Sequence, residues 1–98
     1  MTERQIQMTT NKMRPIHPGE ILREEFLIPL GLSARALSAA LHVPVSLIHD
    51  IIRERRDVTP DTALQLARYF DTTARFWLNL QSSFALKQAE RDMGLLVK

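Results

Sequence analysis

The stretch Ser33-Ala-Arg-Ala-Leu-Ser-Ala-Ala-Leu-His-Val-Pro-Val-Ser-Leu-Ile-His-Asp-Ile-Ile52 decides the fold. Ser33 is a natural N-cap, and Leu37, Ala40 and Leu41 recur at the i, i+3, i+4 spacing that lines one side of a helix. Pro44 forbids that helix to continue, because proline has no amide hydrogen to donate and its ring clashes with the preceding turn. Apolar residues return at Leu47, Ile48, Ile51 and Ile52 with helical period. The β-branched isoleucines among them favour strands, but period-2 alternation is absent. The stretch therefore reads as two short helices joined by the turn His42-Val43-Pro44.

Such a pair cannot bury two apolar faces by itself, so the flanking sequence must supply the rest of a core. Upstream, Pro18-Gly19-Glu20 puts proline and an acid into a first helical turn, where proline costs no hydrogen bond and the acid meets the positive end of the helix dipole. Ile21, Leu22, Glu25 and Phe26 follow as a stripe closed by Pro29 and Gly31. Downstream, Thr59-Pro60-Asp61 repeats the start signal, with Ala63, Leu66, Ala67 and Phe70 at i, i+3, i+4 and i+7. Asp71-Thr72-Thr73 opens a last helix, in which Phe76, Trp77, Leu80 and Phe84 mark one face as far as about Glu90. The expectation is an all-α, five-helix domain with a helix-turn-helix at its centre.

Composition sets the bounds of function. The 98 residues include 45% hydrophobic and 24% charged, an ordinary globular balance in one domain. Residues 1–12 are polar without periodicity and are expected as an N-terminal extension, the domain as 13–92, and 93–98 as a tail. A net charge of +2 does not by itself announce a nucleic-acid ligand. Of 13 basic residues, however, only Lys12, Lys87 and Lys98 are lysine, and arginine is the better ligand for phosphates and base edges. With no cysteine there is no disulfide or thiolate metal site. No uncharged stretch approaches the ~20 residues of a membrane span and no signal peptide is visible, so a cytoplasmic protein without membrane partner or cofactor is expected.

The segments Met13-Arg-Pro-Ile-His-Pro-Gly-Glu-Ile-Leu22, Thr59-Pro-Asp-Thr-Ala-Leu-Gln-Leu-Ala67 and Phe76-Trp-Leu-Asn-Leu-Gln81 resemble the HigA-type (VapI-like) antitoxins, members of the Xre/Cro-like repressors with a lambda-repressor-like fold. The resemblance runs from about Met13 to Ala89. It implies a homodimeric protein that binds a palindromic operator, represses its own operon and neutralises a RelE/HigB-like toxin, a messenger-RNA endonuclease. Three positions depart from the wider class. His42 stands in the turn where many helix-turn-helix proteins place glycine in a positive-φ conformation. Arg53-Glu54 replaces a frequent Asn-Gly, so the helix either caps differently or extends by part of a turn. Pro44 replaces a Ser or Thr cap.

If Ile48 and Ile51 face inward, helical geometry turns Val45, Ser46, His49, Asp50 and Arg53 outward, toward a DNA major groove. Arg53 suits the bidentate contact to guanine, Ser46 and His49 suit base edges or phosphate, Val45 or Leu47 suits a thymine methyl, and Asp50 can accept from cytosine. Arg55 and Arg56 follow as backbone clamps. Ser33, Ala34 and Arg35 can hold a flanking phosphate at the start of the preceding helix. Each has a plainer reading. The run from Arg53 to Asp57 mixes charges as solvated surfaces do, Ser46 can cap a helix turn, and Leu47 and Val45 can be peripheral core. Phe76, Trp77, Leu80 and Phe84 fit a core face or a dimer interface, and a seam serving both is expected. Dimerisation would enlarge an interface that a single module keeps below ~1,000 Å² and would set two reading helices ~34 Å apart.

Two rival functions remain open. An enzyme would have to use His17, Glu20, Glu24, His42 and His49, yet the chain has no HExxH, no Ser-His-Asp grouping and no phosphate-binding glycine loop. A non-catalytic variant of the implied role, either a toxin-binding module with weak operator affinity or a solitary repressor without a toxin, is the other. Arg23, Glu24 and residues 13–17 are left by elimination as a toxin-binding surface.

Overall fold

A computed structural model describes residues 14–94. The expected extension 1–12 and the end of the expected tail lie outside the described residues. The architecture is all-α, with five helices and, among the described residues, no strand. Helix α1 occupies residues 18–30. α2 is Ala34–Leu41, α3 Val45–Ile52, α4 Pro60–Phe70 and α5 Ala74–Asp92. None of these helices is long and apolar enough to cross a membrane.

α1 begins where proline and capping chemistry put it. His17 accepts the Gly19 amide on Nδ1 at 2.8 Å, and Pro18 takes the first helical position. The helix then widens into a π turn at Leu22–Leu27 before closing as α-helix at Ile28–Leu30. This changes the expected stripe. The buried pair is Leu22 and Leu27, five residues apart, while Ile21 is only partly covered and Glu25 is exposed. A spacing of five is what π geometry brings onto one face. Pro29 does not stop the helix either. It sits in the last turn, just past the wide turn in which the Ile28 amide donates to Arg23 O, so the crowding a proline causes in a regular α-helix is relieved upstream.

The first four helices end in the same way, through a residue in left-handed conformation whose successor donates back five residues. The residues are Gly31, His42, Glu54 and Asp71, with φ of 63°, 59°, 62° and 58°. The closing bonds are Leu32 N to Leu27 O (2.9 Å), Val43 N to Ser38 O (3.0 Å), Arg55 N to Asp50 O (2.8 Å) and Thr72 N to Ala67 O (2.9 Å). His42 thus takes the positive φ expected of a glycine. Glu54 shows how α3 ends: the cap is of the usual kind, and glutamate occupies the position that favours glycine.

The core joins Leu22 and Leu27 of α1, Leu37 and Leu41 of α2, Ile48 and Ile51 of α3, Val58, Ala63, Leu66 and Ala67 around α4, and Trp77 of α5. Ala40, expected in this set, is exposed. The buried arc of α2 instead extends to Ser38, whose hydroxyl donates to Arg35 O at 2.8 Å. Trp77 lies in the core of its own chain. Its side chain is 0% exposed within a single chain, its Nε1 donates to Thr72 Oγ1 at 2.8 Å and its ring lies 5.2 Å from that of Phe26. A side chain with no surface left has none to give a partner. Phe84 and Leu80 are half-buried, and Phe84 meets the edge of the His17 ring at 4.7 Å.

α1 and α3 meet through backbone. A β-carbon on Gly19 would overlap the carbonyl oxygen of Ile51, so only glycine lets the first turn of α1 lie against the end of α3. His17 caps that turn while buried at 1% exposure, and desolvation lowers its pKa below the ordinary imidazole value despite the nearby Glu54 and Asp57 carboxylates. The neutral ring is the native form. The stability it contributes is whole above the unfolded imidazole pKa of about 6.5 and falls as the pH drops below that value, because the unfolded chain protonates first. Thermal melts between pH 7.5 and 5.5 are expected to show this loss, above the range in which Glu20 protonates. A His17→Asn variant, which keeps a capping oxygen but cannot titrate, should show a flatter profile over the same window. Equal slopes for the two proteins would exclude His17 as the source.

Candidate nucleic-acid interface

α3 is built so that one face is committed to the core. Ile48 and Ile51 are both 0% exposed, and Leu47 and Ile52 pack at the core's edge. The rest of the helix surface is thereby turned outward: Ser46 and Arg53 are exposed, while Val45, His49 and Asp50 are partly covered. Leu47 therefore belongs to the periphery of the core and Val45 lies outside that cluster. Pro44 is the N-cap and supplies no side-chain cap, and Ser46 makes no capping bond in its place, so its hydroxyl remains available on the outer face.

α2 presents its start on the side of Ser33, Ala34 and Arg35. The Ser33 hydroxyl accepts the Ala36 amide at 3.0 Å, which uses the side chain as a cap. By helix geometry the amides of Ala34 and Arg35 are left pointing out of the helix end, where an anion is favoured. Arg35 itself is exposed.

The charges after α3 are sorted by pairing. Arg56 Nη2 lies 3.4 Å from Asp50 Oδ2, so the acid on the outer face of α3 is met by a cation from the following loop. Glu54 faces the other way, toward α1, with Oε2 at 3.8 Å from Arg23 Nη2. Arg53 and Arg55 form no ion pair with any described residue and are exposed. Two acids that would repel a phosphate are thus each set against a cation, while two arginines stand unopposed.

Arg23 makes contacts that the sequence does not signal. Assigned by elimination to a toxin-binding surface, it reaches from α1 to the end of α3, where Nη1 donates to Ile52 O at 2.6 Å. Its Nε is also 3.0 Å from Glu24 Oε2. No sequence spacing signals a contact across 29 positions between two helices. Three of the groups considered for a catalytic site have separate structural duties. His17 caps α1, Glu20 is bound by Arg14 at 2.8 Å, and His42 closes α2. Among the described residues no cluster of His, Asp and Glu is arranged to hold a metal.

Known proteins resemble this chain in sequence and in fold. The helix-turn-helix family model matches residues 22–77. Virulence-associated protein I of Dichelobacter nodosus is 60% identical over 82 residues, covering 84% of this chain and 76% of that protein. Antitoxin HigA-1 of Vibrio cholerae is 35% identical over 79 residues, covering 81% and 74%. Among solved structures, the Pseudomonas aeruginosa antitoxin HigA with the higBA promoter superposes with a TM-score of 0.81 at 49% identity, covering 87% of this chain and 92% of that one.

Proposed function

The chain belongs to the Xre-like helix-turn-helix family, among the HigA-type and VapI-like antitoxins, and on that premise we propose that it is a DNA-binding antitoxin. As a homodimer it binds the palindromic operator of its own operon through α2 and α3, and it neutralises a RelE/HigB-like messenger-RNA endonuclease. One observation carries the DNA reading: the complete burial of Ile48 and Ile51 aims Val45, Ser46, His49, Asp50 and Arg53 outward from a single short helix. A relative solved with promoter DNA, at 49% identity, supports the DNA-binding reading.

In this reading Arg53 addresses a base, with Ser46 and His49 beside it and Val45 against a methyl group. Arg55, Arg56 and the start of α2 at Ser33, Ala34 and Arg35 hold phosphates. The test is duplex binding measured across a salt series. Operator DNA should be bound well above random duplex at moderate salt, and equal affinity for the two would refute sequence-specific repression. Arg53→Ala should cost about 1 to 3 kcal/mol of discrimination, confined to one base pair, whereas Arg55→Ala should weaken all sequences alike and reduce the salt slope by about one.

For the dimer, the placement of Trp77 moves the proposal around α5. The inner face, with Trp77, Leu80 and Phe84, packs within the chain. The surface available to a partner comprises Phe76, 38% exposed, and the outer side of the helix, where Leu86 is 62% and Met93 72% exposed. Leu86→Glu should yield a folded monomer by sedimentation with an unchanged helical spectrum, and a surviving dimer would exclude this face. Toxin neutralisation rests on family membership. Co-expression with a small basic protein encoded immediately upstream should relieve that protein's growth arrest, and the lack of such a neighbour would leave a solitary repressor.

A further inference from the structure

The arginine cluster after α3 contains one acid, Glu54, placed between Arg53 on one side and Arg55 and Arg56 on the other. Its backbone is left-handed, with φ of 62°, so its side chain leaves the chain in a direction different from its neighbours' and points toward α1. Arg23 waits there. Its guanidinium divides its donors among three oxygens: Nη1 to the Ile52 carbonyl at 2.6 Å, Nη2 toward Glu54 Oε2 at 3.8 Å, and Nε to Glu24 Oε2 at 3.0 Å. The Ile52 carbonyl is one of the last of α3, where the helix dipole is negative and a cation is favoured. One side chain from α1 therefore does two things at the end of the reading helix. It fixes the helix terminus from which Arg53 emerges, and it supplies the counter-charge for the acid among the DNA-facing arginines.

We propose that Arg23 is a positioning residue for DNA binding, holding the end of α3 in place and drawing Glu54 away from the phosphates so that Arg53 and Arg55 act unopposed and Arg56 faces Asp50 alone. The proposal rests on the DNA-binding reading above. Without Arg23, the cations left nearest Glu54 in sequence are those three arginines. Pairing with them would remove positive charge from the interface, and the acid itself would repel the DNA backbone.

The experiment compares the full chain with Arg23→Met, Arg23→Lys, Glu54→Gln and the double variant Arg23→Met with Glu54→Gln, using operator and random duplex by fluorescence anisotropy, with thermal melts alongside. Arg23→Met should bind operator about tenfold more weakly, the scale of one lost charge-assisted contact. The double variant should recover most of that loss, although its melting temperature is no higher than that of Arg23→Met. Arg23→Lys, which keeps the charge but not the fork, should fall between. Recovery on neutralising Glu54 is the decisive readout, because a residue that merely stabilises the fold gains nothing from it. If the double variant binds as weakly as Arg23→Met, or if Arg23→Met binds operator like the parent chain, the proposal is overturned while DNA binding by the parent stands. If the parent itself does not distinguish operator from random duplex, the DNA-binding reading falls and this proposal falls with it.

Discussion

The structure depends on how closely the first turn of α1 can approach the last turn of α3. Gly19 permits a backbone contact with Ile51 O that any side chain would block, and the His17 imidazole caps the turn from a position that leaves it almost no solvent. The reading helix is short, two turns with no side-chain cap at its start, so little in its own sequence holds it in place. Its orientation comes from the groups around its far end. Ile48 and Ile51 pin one face in the core, Gly19 sets the depth, and the 2.6 Å bond from Arg23 to Ile52 O fixes the terminus. A surface intended to read base edges needs this rigidity, because contacts of the required geometry tolerate displacements well below the size of an atom.

Charge in this protein is arranged rather than accumulated. A net charge of +2 gives little long-range attraction for DNA, and a count of residues would not single out any surface. Pairing changes the picture locally. Asp50 is met by Arg56, Glu54 and Glu24 by Arg23, and Glu20 by Arg14, while Arg53 and Arg55 are left without an acid among the described residues. These pairs are largely exposed, so each adds little to stability. Their consequence is directional: they determine which cations remain free to meet an anionic ligand and which are already engaged.

Much of the fold was legible because its signals are local. Ser33 and Thr59 cap the helices that the sequence assigns them, Thr73 is the cap within the cluster Asp71-Thr72-Thr73, and Leu37, Leu41, Ile48 and Ile51 carry the buried positions of the central pair. The two differences in α1 share one cause. Periodicity assumes 3.6 residues per turn, and α1 departs from it, so the pattern puts Glu25 on a face that Leu27 occupies and reads Pro29 as a stop. At the site, the outward residues of α3 follow from helix geometry once the buried pair is known. Arg23 does not, since its partners lie on another helix and their meeting is a property of the tertiary packing. The left-handed Glu54 was equally hidden: glutamate carries no signal for that conformation, which the surrounding cap imposes at a cost of about 1 to 2 kcal/mol.

α5 shows why apolar spacing alone cannot distinguish a core from a seam. Phe76, Trp77, Leu80 and Phe84 state only that one side of the helix avoids water, and a neighbouring helix or a second copy would satisfy them equally. The packing assigns Trp77 to its own chain, where Phe26 and Phe70 continue the aromatic cluster. Whatever covers the other side must use different residues, and α5 offers a scattered apolar set there, with Leu86 and Met93 exposed among Ser82, Ala85 and Ala89. This outer surface is narrow and made mostly of small side chains, which suits close approach by another helix rather than insertion into a deep pocket. The helix that completes the core is thus also the element with unspent surface, so the fold of one chain and its assembly with a second need not compete for the same side chains.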